Sequence, residues 1–564
     1  MKSEHCDVLV VGSSISGLMT AAWIKLEQPE LDVVVLGPPP EREKRPYVGE
    51  SLVEPAILFF RELGMGEFLD TRCALKNGLT FYHKLRIDDP ADRRYTVHAP
   101  ERLHHLARQL NRPVFDRALR DHAEALGVRM IDGLAEDIDI STGSTGSATH
   151  RVLARVGDAT VELTSRWIVD ASGRRRLIGR KVSSYTKPEQ GQRSAFWVRL
   201  ADFRPFTDDL EMSLRRPLAY DIWYSTHHFM GHANWIWGIP LQSSEHERLI
   251  SFGITFRPDI FPRADRMTTV EHFLEYLDSE HPALAAMVRS GKVIDTHVYR
   301  EYIYWADQIY SEDGWFLVGD AARAVDPLYS TGMSMTSIQA LQVSTMIRRQ
   351  RSGSLTRADV EALESLWMKV ARRRQLDIAD QYESMHDPLQ ACMRRYWNIC
   401  GWFNALLPLW WNGFFSDPAG ARLVARLFAD PDRSSETAWA LFQEVSRALG
   451  PELDQATFDR SSDLDEILDL RFDCPLTELP LHVSGMFTKR VRLRLALVRL
   501  GGWGLLPRQL RPLVRDLAAA LAARVLLPRI GREAFASVTP PLHRLVAAGL
   551  AGRADAAGNA SGDR

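Results

Sequence analysis

The chain contains few cysteines, and those it has lie far apart. They are Cys6, Cys73, Cys392, Cys400 and Cys474, and no two of them form a Cys-x-x-Cys pair. An odd number of scattered cysteines argues against a disulfide framework and against a zinc site. The sequence therefore predicts a protein without a metal centre that works in the reducing cytoplasm.

A charge of one sign and long apolar runs are also missing. The 70 Lys and Arg residues nearly balance the 72 Asp and Glu residues, so the formal net charge is −2 and nucleic acid is not an expected partner. No uninterrupted apolar stretch reaches the roughly 18–20 residues of a membrane-spanning helix. The N-terminus runs directly into a predicted strand, which leaves no room for a signal peptide. We expect a globular chain of 564 residues with about two to four domains.

A glycine-rich turn near the N-terminus joins a predicted strand to a predicted helix. Residues 6–11 form a nearly continuous apolar run, residues 18–26 have helical character, and residues 32–36 form a second apolar run. A βαβ unit of this kind directs backbone N–H groups and the helix dipole at a pyrophosphate. The turn residues that we expect at a cofactor are Gly12, Ser13, Ser14, Ser16 and Gly17.

This turn departs from the ideal Gly-x-Gly-x-x-Gly motif in two ways. Ser14 replaces the middle glycine, and Gly37 stands at the end of the second strand, where an acid would hold a ribose hydroxyl. A single degenerate glycine motif is weak evidence, because a plain structural turn explains it nearly as well. The motif therefore needs support from elsewhere in the chain.

Two later strands end in acidic turns that supply this support. One leads into Asp-x-x-Gly at Asp170 and Gly173, and the other leads into Gly-Asp at Asp320, just before a helix. In the last position an aspartate can accept from a ribitol or ribose hydroxyl while the helix N-terminus faces the cofactor. Three such signatures in this order resemble the FAD-binding fold of the aromatic-hydroxylase and halogenase superfamily. The resemblance implies an α/β protein with a Rossmann-like FAD-binding fold, a β-sheet substrate region and a mostly helical C-terminal region.

Two polar segments fit the same fold. Glu50 and Ser51 belong to a Gly-Glu-Ser segment that resembles the one lying against the flavin ring in halogenases, although a simple helix cap would also explain it. Arg112 opens a segment that resembles the superfamily's Arg-x-x-Phe-Asp motif, in which the arginine reaches the FAD. We interpret Arg112 as a cofactor contact rather than as a solvated charge at a helix start.

Three further segments narrow the resemblance to the flavin-dependent halogenases, over about residues 5–345. Lys76 stands just before a strand, where that family places its catalytic lysine. Trp235 and Trp237 belong to a Trp-x-Trp-x-Ile-Pro string, which is a specific signal, whereas a lone lysine is usually a solvated surface residue. The third segment resembles the family's flavin and halide loop, in which we expect Pro327 at the cofactor, Thr331 and Gly332 at the halide, and Ser330 as a candidate catalytic residue.

The resemblance implies a division of roles among these residues. Reduced FAD and oxygen oxidise chloride or bromide to hypohalous acid, with the halide held by the backbone N–H groups of Thr331 and Gly332. The aromatic wall of Trp235 and Trp237 keeps the organic substrate away from the flavin, which suppresses hydroxylation. Lys76 then delivers the halogen, either as an ammonium that hydrogen-bonds to hypohalous acid or as a free amine that forms a chloramine. Both routes require a lysine shielded from water, and burial would lower its pKa.

Structural roles for the same residues stay open. The two tryptophans could form one face of a sheet core. Thr331 and Gly332 could be only a helix-start turn, a role that would coexist with halide binding. Ser330 could lie near the lysine or the substrate, or it could equally be a cap.

Tyr329 separates this chain from the tryptophan halogenases. Those enzymes carry a glutamate at this place, which is thought to orient the lysine and the active halogen. An aromatic residue instead resembles the halogenases of phenols, pyrroles and acyl groups on carrier proteins. The expected substrate is therefore a small aromatic molecule, free or tethered to an acyl or peptidyl carrier protein, rather than tryptophan.

The C-terminal third is expected to be helical. We predict a core over residues 1–345 with a substrate-side sheet inserted at about 185–305, helices over 346–550 that cover the substrate pocket, and a disordered tail at 551–564. The aromatic stretch 393–415 could line that pocket or pack helices together.

A strongly basic stretch follows at residues 489–532. Its arginines stand among leucines and alanines, which is typical of an amphipathic helix. We interpret the basic side as a solvated face. Docking of an acidic carrier protein is the main alternative, and weak contact with an anionic membrane surface is another.

Together these patterns predict a two-component FAD halogenase that acts on an electron-rich aromatic or enol-like carbon in specialised metabolism. No second Rossmann unit for NAD(P)H is recognisable in the sequence, so a separate flavin reductase would supply the reduced FAD. A hydroxylating flavin monooxygenase or a dehydrogenase on the same fold is the alternative. A non-catalytic flavin-binding protein is a more distant one.

Overall fold

Strands fill the first part of the chain and helices the last part. The computed structural model describes residues 2–39, 47–86, 88–98, 107–141, 149–188, 191–214, 220–379, 381–427, 431–450, 453–454, 474–475 and 477–535. The strands among these residues are β1 (Lys2–Val11), β2 (Val33–Gly37), β3 (Ala74–Lys76), β4 (Leu79–His83), β5 (Arg93–Val97), β6 (Ala107–Gln109), β7 (Arg129–Asp132), β8 (Leu134–Asp139), β9 (His150–Val156), β10 (Ala159–Asp170), β11 (Tyr185–Thr186), β12 (Ser194–Ala201), β13 (Glu211–Leu214), β14 (Thr226–Met230), β15 (Asn234–Leu241), β16 (Leu249–Phe256), β17 (Lys292–Tyr299), β18 (Tyr304–Ala306), β19 (Trp315–Leu317) and β20 (Arg323–Ala324). The α-helices are α1 (Ile15–Glu27), α2 (Glu54–Phe60), α3 (Gly66–Arg72), α4 (Arg112–Ala125), α5 (Gly179–Val182), α6 (Val270–Glu280), α7 (Pro282–Ser290), α8 (Gly332–Arg351), α9 (Arg357–Ala379), α10 (Pro388–Gly401), α11 (Leu407–Trp411), α12 (Pro418–Leu427), α13 (Pro431–Leu449), α14 (Leu479–Gly501) and α15 (Leu506–Phe535).

The first sheet contains the predicted βαβ unit. Its strand order is β7-β2-β1-β10-β9-β8, with β19 pairing beside β10. Strands β1, β2, β7, β10 and β19 run parallel, and every residue of β2 is buried, as expected for a parallel strand covered on both faces. Helix α1 follows β1 directly and packs against α8. The predicted α/β class with a Rossmann-like unit is confirmed.

The second sheet carries the tryptophan pair. It has eight strands in the order β13-β5-β4-β14-β15-β16-β12-β17. All residues of β15, which includes Trp235 and Trp237, are buried between β14 and β16. Strands β4 and β5 join this sheet from outside the predicted insertion at 185–305, because β4 pairs in parallel with β14. This pairing places the segment after Lys76 one strand away from the tryptophan strand, with β14 between them.

Helices form the described C-terminal part, from α8 onward. The aromatic stretch 393–415 is mostly buried, with Trp397 in one apolar cluster and Trp402 and Trp410 in another. The basic stretch 489–532 lies within α14 and α15. No helix among the described residues is long and apolar enough to cross a lipid bilayer. The tail at 551–564, predicted to be disordered, lies outside the described residues.

Candidate active site

A cavity of about 490 Å³ lies where the C-terminal ends of β1, β2 and β10 face β15 of the second sheet. This is the edge at which parallel α/β sheets bind their ligands. The predicted site residues that line it are Gly12, Ser13, Ser14, Ser16, Glu50, Ser51, Arg112, Gly173, Trp235, Trp237, Asp320, Pro327, Ser330 and Gly332. Gly17, Lys76, Asp170 and Thr331 are not part of its lining.

Close backbone packing explains the glycine-rich turn. Gly12 has φ +123°, and a Cβ there would lie 2.2 Å from the carbonyl oxygen of Ala171. A Cβ on Gly17 would lie 2.0 Å from the carbonyl oxygen of Gly12, so this glycine serves the approach of α1 to β1 rather than the cavity wall. A side chain at Gly37 would collide with Ser13, whose backbone nitrogen would be 2.6 Å from the added Cβ. The acid expected at position 37 is therefore sterically excluded in this chain.

The two acidic turns have different roles. Asp170 is fully buried and accepts hydrogen bonds from the backbone nitrogens of Ser172, Ile178 and Gly179 at 2.8–2.9 Å and from the Ser172 hydroxyl at 2.6 Å. Its carboxylate therefore holds the turn together and lies outside the cavity lining. Asp320 does line the cavity, beside Arg174. The surrounding protein raises the pKa of Asp320, and Arg174 and Arg112 oppose that shift.

Arg112 fixes the Gly-Glu-Ser segment to the cavity. Its guanidinium donates to both oxygens of Asp116 at 2.7 and 2.9 Å and to the carbonyl of Val48. Glu50 follows in that segment and is buried, and burial raises the pKa of its carboxyl to about 7 against the opposing effects of Ser251 and Arg199. The segment therefore presents a carboxyl group that can carry a proton near neutral pH.

Lys76 is buried behind this segment. Only 1% of its surface is exposed, and its Nζ donates to Ser51 Oγ at 2.7 Å and to the carbonyl of Leu52 at 3.1 Å. Burial lowers the pKa of Lys76 to about 7, and nearby Glu54 opposes the shift. Ser51 lines the cavity on its other side and also hydrogen-bonds to Thr226 at 2.9 Å. One hydroxyl thus connects the buried amine to the cavity wall.

The two indoles stand in the same cavity wall. Their ring centroids are 5.9 Å apart, and each N–H is used inside the protein: Trp235 donates to Tyr382 at 2.9 Å and Trp237 to Ser251 at 3.3 Å. His228 lines the cavity beside Trp235, with ring centroids 5.3 Å apart. Burial, followed by the charge of Lys76, lowers the pKa of His228 to about 3, so this imidazole is neutral. Lysine and indoles therefore lie on the same side of the molecule.

A buried polar network ties the indole wall to the loop at 326–332. The Tyr382 hydroxyl, which accepts from Trp235, donates to Asp326 Oδ2 at 2.7 Å. Arg193 donates to the same oxygen at 2.8 Å, and both members of this ion pair are fully buried. Asp326 in turn accepts from the backbone nitrogen of Leu328 at 3.1 Å. The wall and the loop are thus held at a fixed separation.

The loop ends at the N-terminus of the 20-residue helix α8. Ser330 has φ +56° and, like Gly332, lines the cavity, and a Cβ on Gly332 would meet open space. Thr331 is 3% exposed and is the residue that precedes the helix. Tyr329, the departure noted in the sequence, donates to Gln381 at 3.1 Å, and its ring lies 6.4 Å from Phe81.

Sequence reasoning missed several residues of this site. Thr226 and His228 occupy alternate positions of β14, which the pairing with β15 places next to the indoles. Tyr382 and Arg193 join the network from positions 147 and 133 residues away from their partners Trp235 and Asp326. Residues 226–230 show no alternation of polar and apolar side chains, and all of them are buried, so the sequence contained no signal for the first two. Contacts over such sequence distances left no signal for the others.

Comparisons with known proteins agree with one another. The family model described as "Tryptophan halogenase" matches residues 84–366. The flavin-dependent halogenase chlA of Dictyostelium discoideum is 27% identical over 435 residues, covering 72% of this chain and 70% of its own length. The 1H-pyrrole-2-carbonyl-[peptidyl-carrier protein] chlorinase of Pseudomonas fluorescens is 26% identical, covering 59% of this chain and 74% of its own.

Two solved structures share the fold. The halogenase PltM in complex with phloroglucinol and FAD superposes with a TM-score of 0.55 at 18% identity, over 93% of this chain and 98% of its own. The myxobacterial chondrochloren halogenase CndH superposes with a TM-score of 0.51 at 22% identity, over 69% of this chain and 82% of its own.

Proposed function

Because this chain belongs to the tryptophan halogenase family and is a flavin-dependent halogenase, we propose that it halogenates an electron-rich aromatic or enol-like carbon through Lys76. Reduced FAD would come from a separate flavin reductase, and chloride or bromide would be the halogen source. We place the reaction in specialised-metabolite biosynthesis in the cytoplasm.

The cavity residues fit FAD. The close contact at Gly12 keeps the first turn narrow, and α1 begins beside it with N–H groups suited to a pyrophosphate. Asp320 lines the cavity and is assigned a hydrogen bond from a cofactor hydroxyl, and Arg112 holds the Glu50-Ser51 segment against the cavity. When bound, reduced FAD with oxygen supplies the oxidising power that turns halide into hypohalous acid.

Halide binding is assigned to the start of α8. Gly332 lines the cavity, and Thr331 precedes it, so two consecutive backbone N–H groups occupy the positive end of a 20-residue helix. An anion is stabilised there by unpaired helix amides and the macrodipole without a charged side chain. The buried Asp326–Arg193 pair would keep this loop from moving away from the indole wall.

The indole wall is assigned the exclusion of organic substrate. Trp235 and Trp237 fill the cavity side of β15, and their N–H groups are committed to Tyr382 and Ser251. A large rigid side chain held by a hydrogen bond cannot easily rotate out of the way. Small hypohalous acid would pass, whereas an aromatic substrate would stay on the lysine side.

Lys76 is assigned the delivery of the halogen, and its burial next to Ser51 is the observation that carries the proposal. Because only 1% of the surface of Lys76 is exposed, an oxidised halogen held at its amine would be shielded from bulk water. Ser51, which accepts a hydrogen bond from this amine, links the amine to the cavity. A pKa of about 7 makes both ammonium and free amine available near neutral pH. Delivery by hydrogen bonding and delivery as a chloramine therefore both remain open.

Tyr329 and the relatives support our proposal for the substrate class. An aromatic residue in place of the glutamate of tryptophan halogenases favours phenols, pyrroles or carrier-bound acyl groups. Two relatives are named for a pyrrole-2-carbonyl group on a peptidyl carrier protein, one as chlorinase and one as brominase. We propose a substrate of this kind, free or tethered to a carrier protein.

The test supplies reduced FAD, oxygen, bromide and a panel of phenols and pyrroles to the wild type and to Lys76→Ala. Flavin oxidation should proceed in both proteins, whereas halogenated product, detected by mass spectrometry, should disappear in the variant. Product formation at the wild-type level in the variant would remove Lys76 from its role. A hydroxylated product from the wild type would favour a monooxygenase instead.

A further inference from the structure

The last two described helices carry most of the large apolar side chains that face solvent. Of the fifteen exposed large hydrophobic residues among those the structure describes, nine lie between Leu481 and Val525. Single exposed apolar residues are common on any protein surface, but a concentration of them marks an interaction site. The halogenase chemistry makes no use of this region.

A continuous apolar stripe follows one face of α15. Its five members, between 43% and 66% exposed, are Leu510, Val514, Leu517, Leu521 and Val525. At 100° per residue these positions fall within a sector of about 80° and extend over about 22 Å of helix. A different set of residues faces α14 and the core, namely Leu513, Ala520, Ala523 and Leu527. The stripe is therefore a second apolar face and is not the side that packs the helix.

The surroundings of the stripe are basic. Residues 479–527 contain nine Lys and Arg against one acid, Asp516, which is buried and paired with Arg494 at 3.1 Å. The neighbouring sector of α15 carries the arginines Arg508, Arg511 and Arg515, of which Arg508 donates to Glu444 of α13 at 2.6 Å. Trp503, 64% exposed, stands in the turn that leads into the helix. A solvated basic face, which is the interpretation that the sequence favours, explains the arginines but does not explain the exposed apolar stripe.

We propose that this surface binds the anionic face of a lipid bilayer. We name it the α15 face, defined by Trp503, the five-residue stripe and Arg508, Arg511 and Arg515. Amphipathic helices that lie in a membrane interface combine an apolar face with arginines and an aromatic anchor in this way. The apolar side chains would enter the headgroup region, and the positive charge of the arginine sector beside them would attract the lipid phosphates.

Charge and shape favour a bilayer over other occupants. A second copy of the chain would bring arginines against arginines across the contact. An acidic carrier protein would satisfy the arginines, but soluble proteins rarely expose a contiguous apolar patch large enough to cover a straight stripe of five aliphatic side chains. A bilayer offers phosphates and acyl chains side by side along the whole stripe.

The experiment is co-sedimentation of the full-length protein with phosphatidylcholine vesicles, with and without phosphatidylglycerol. The test variant carries Val514→Ser, Leu517→Ser and Leu521→Ser. The matched control replaces three similarly apolar, exposed residues of β17, as Val293→Ser, Ile294→Ser and Val298→Ser. Because the stripe is exposed, the test variant should keep its fold, which a fluorescence titration with FAD and far-ultraviolet circular dichroism verify.

The wild type and the control should sediment with phosphatidylglycerol vesicles, and raised salt should weaken this binding. The test variant should partition to them more than about tenfold less, since three aliphatic side chains are lost from the contact. Equal binding to neutral vesicles, or unchanged binding of the test variant, would overturn the proposal. The proposal would also be overturned if the wild type were a dimer and the test variant a monomer, since the face would then join two copies of the chain. The test variant should halogenate a free substrate at the wild-type rate. Failure of the membrane proposal can therefore be distinguished from failure of the proposed function.

Discussion

Burial of Lys76 should make the stability of the protein depend on pH in a defined direction. Burial lowers its pKa from the ordinary 10.5 to about 7, so between these values the unfolded chain binds a proton at this amine that the folded chain does not. Stability then rises with pH across that interval. At 1.36 kcal/mol per unit of pKa, burying this amine costs about 5 kcal/mol of folding stability; the cost is fully present at and below about pH 7 and absent above about pH 10.5.

The perturbation that isolates this effect is Lys76→Met, which keeps a side chain of similar length and removes the titration. Loss of the hydrogen bonds to Ser51 and Leu52 adds an offset. This offset in the free energy of unfolding changes little with pH, so the quantity that tests the prediction is the slope of the difference between the two proteins against pH. We expect the free energy of unfolding of the variant, relative to that of the wild type, to increase by about 1.4 kcal/mol for each unit by which the pH falls from about 10 toward 7. Below about pH 7 this difference should stay constant.

Chemical denaturation of both proteins at several pH values measures this difference. A difference that stays constant between about pH 7 and pH 10 would show that the amine keeps its ordinary pKa in the folded protein. In that case Lys76 would be hydrated, and the protected delivery site would not exist. A slope of the opposite sign above about pH 10 would mean that a carboxylate such as Glu54 pairs with the amine strongly enough to overcome burial.

Three further predictions concern the walls of the cavity. Tyr382→Phe removes two buried hydrogen bonds, one of them to a carboxylate, so chemical denaturation should show a free energy of unfolding lower by about 2–4 kcal/mol. The amount of product per oxidised flavin should also fall. The control Tyr224→Phe, at an exposed tyrosine, should change neither quantity. Gly12→Ala should abolish FAD binding in a fluorescence titration because the added Cβ has only 2.2 Å to the neighbouring carbonyl, whereas Gly504→Ala, which meets open space, should bind FAD normally. Ser51→Ala should slow halogenation while sparing flavin oxidation, and Ser51→Thr, which keeps the hydroxyl, should restore product; equal product from both variants would separate Ser51 from delivery.

Local patterns in the sequence were enough for the framework of the fold. The apolar runs around Gly12 predicted β1, α1 and β2, because a parallel strand buried on both faces has a nearly continuous apolar sequence. Trp235 and Trp237 alternate along β15, so their common face followed from the period of a strand. Lys76 could be singled out only through its resemblance to a family motif, since nothing in its neighbours requires burial.

Features that depend on distant partners could not be predicted. Whether Asp170 faces the cavity depends on the backbone nitrogens up to Gly179, which fold back onto its carboxylate. The links from Trp235 through Tyr382 to Asp326 join three segments that no local period connects. The exposure of one apolar face of α15 could not be predicted either, because the sequence of a helix with two apolar stripes does not reveal which stripe the core will cover.

We propose that an oxidised halogen leaves the flavin cavity and reaches substrate only through Lys76. Single-turnover reaction of Lys76→Met with reduced FAD, oxygen and bromide, in the presence of a small diffusible trap for hypohalous acid, tests this directly. We predict trapped halogen in an amount close to the flavin oxidised, and no halogenated substrate. Halogenated substrate in the variant at the wild-type yield, with no halogen in the trap, would contradict the account.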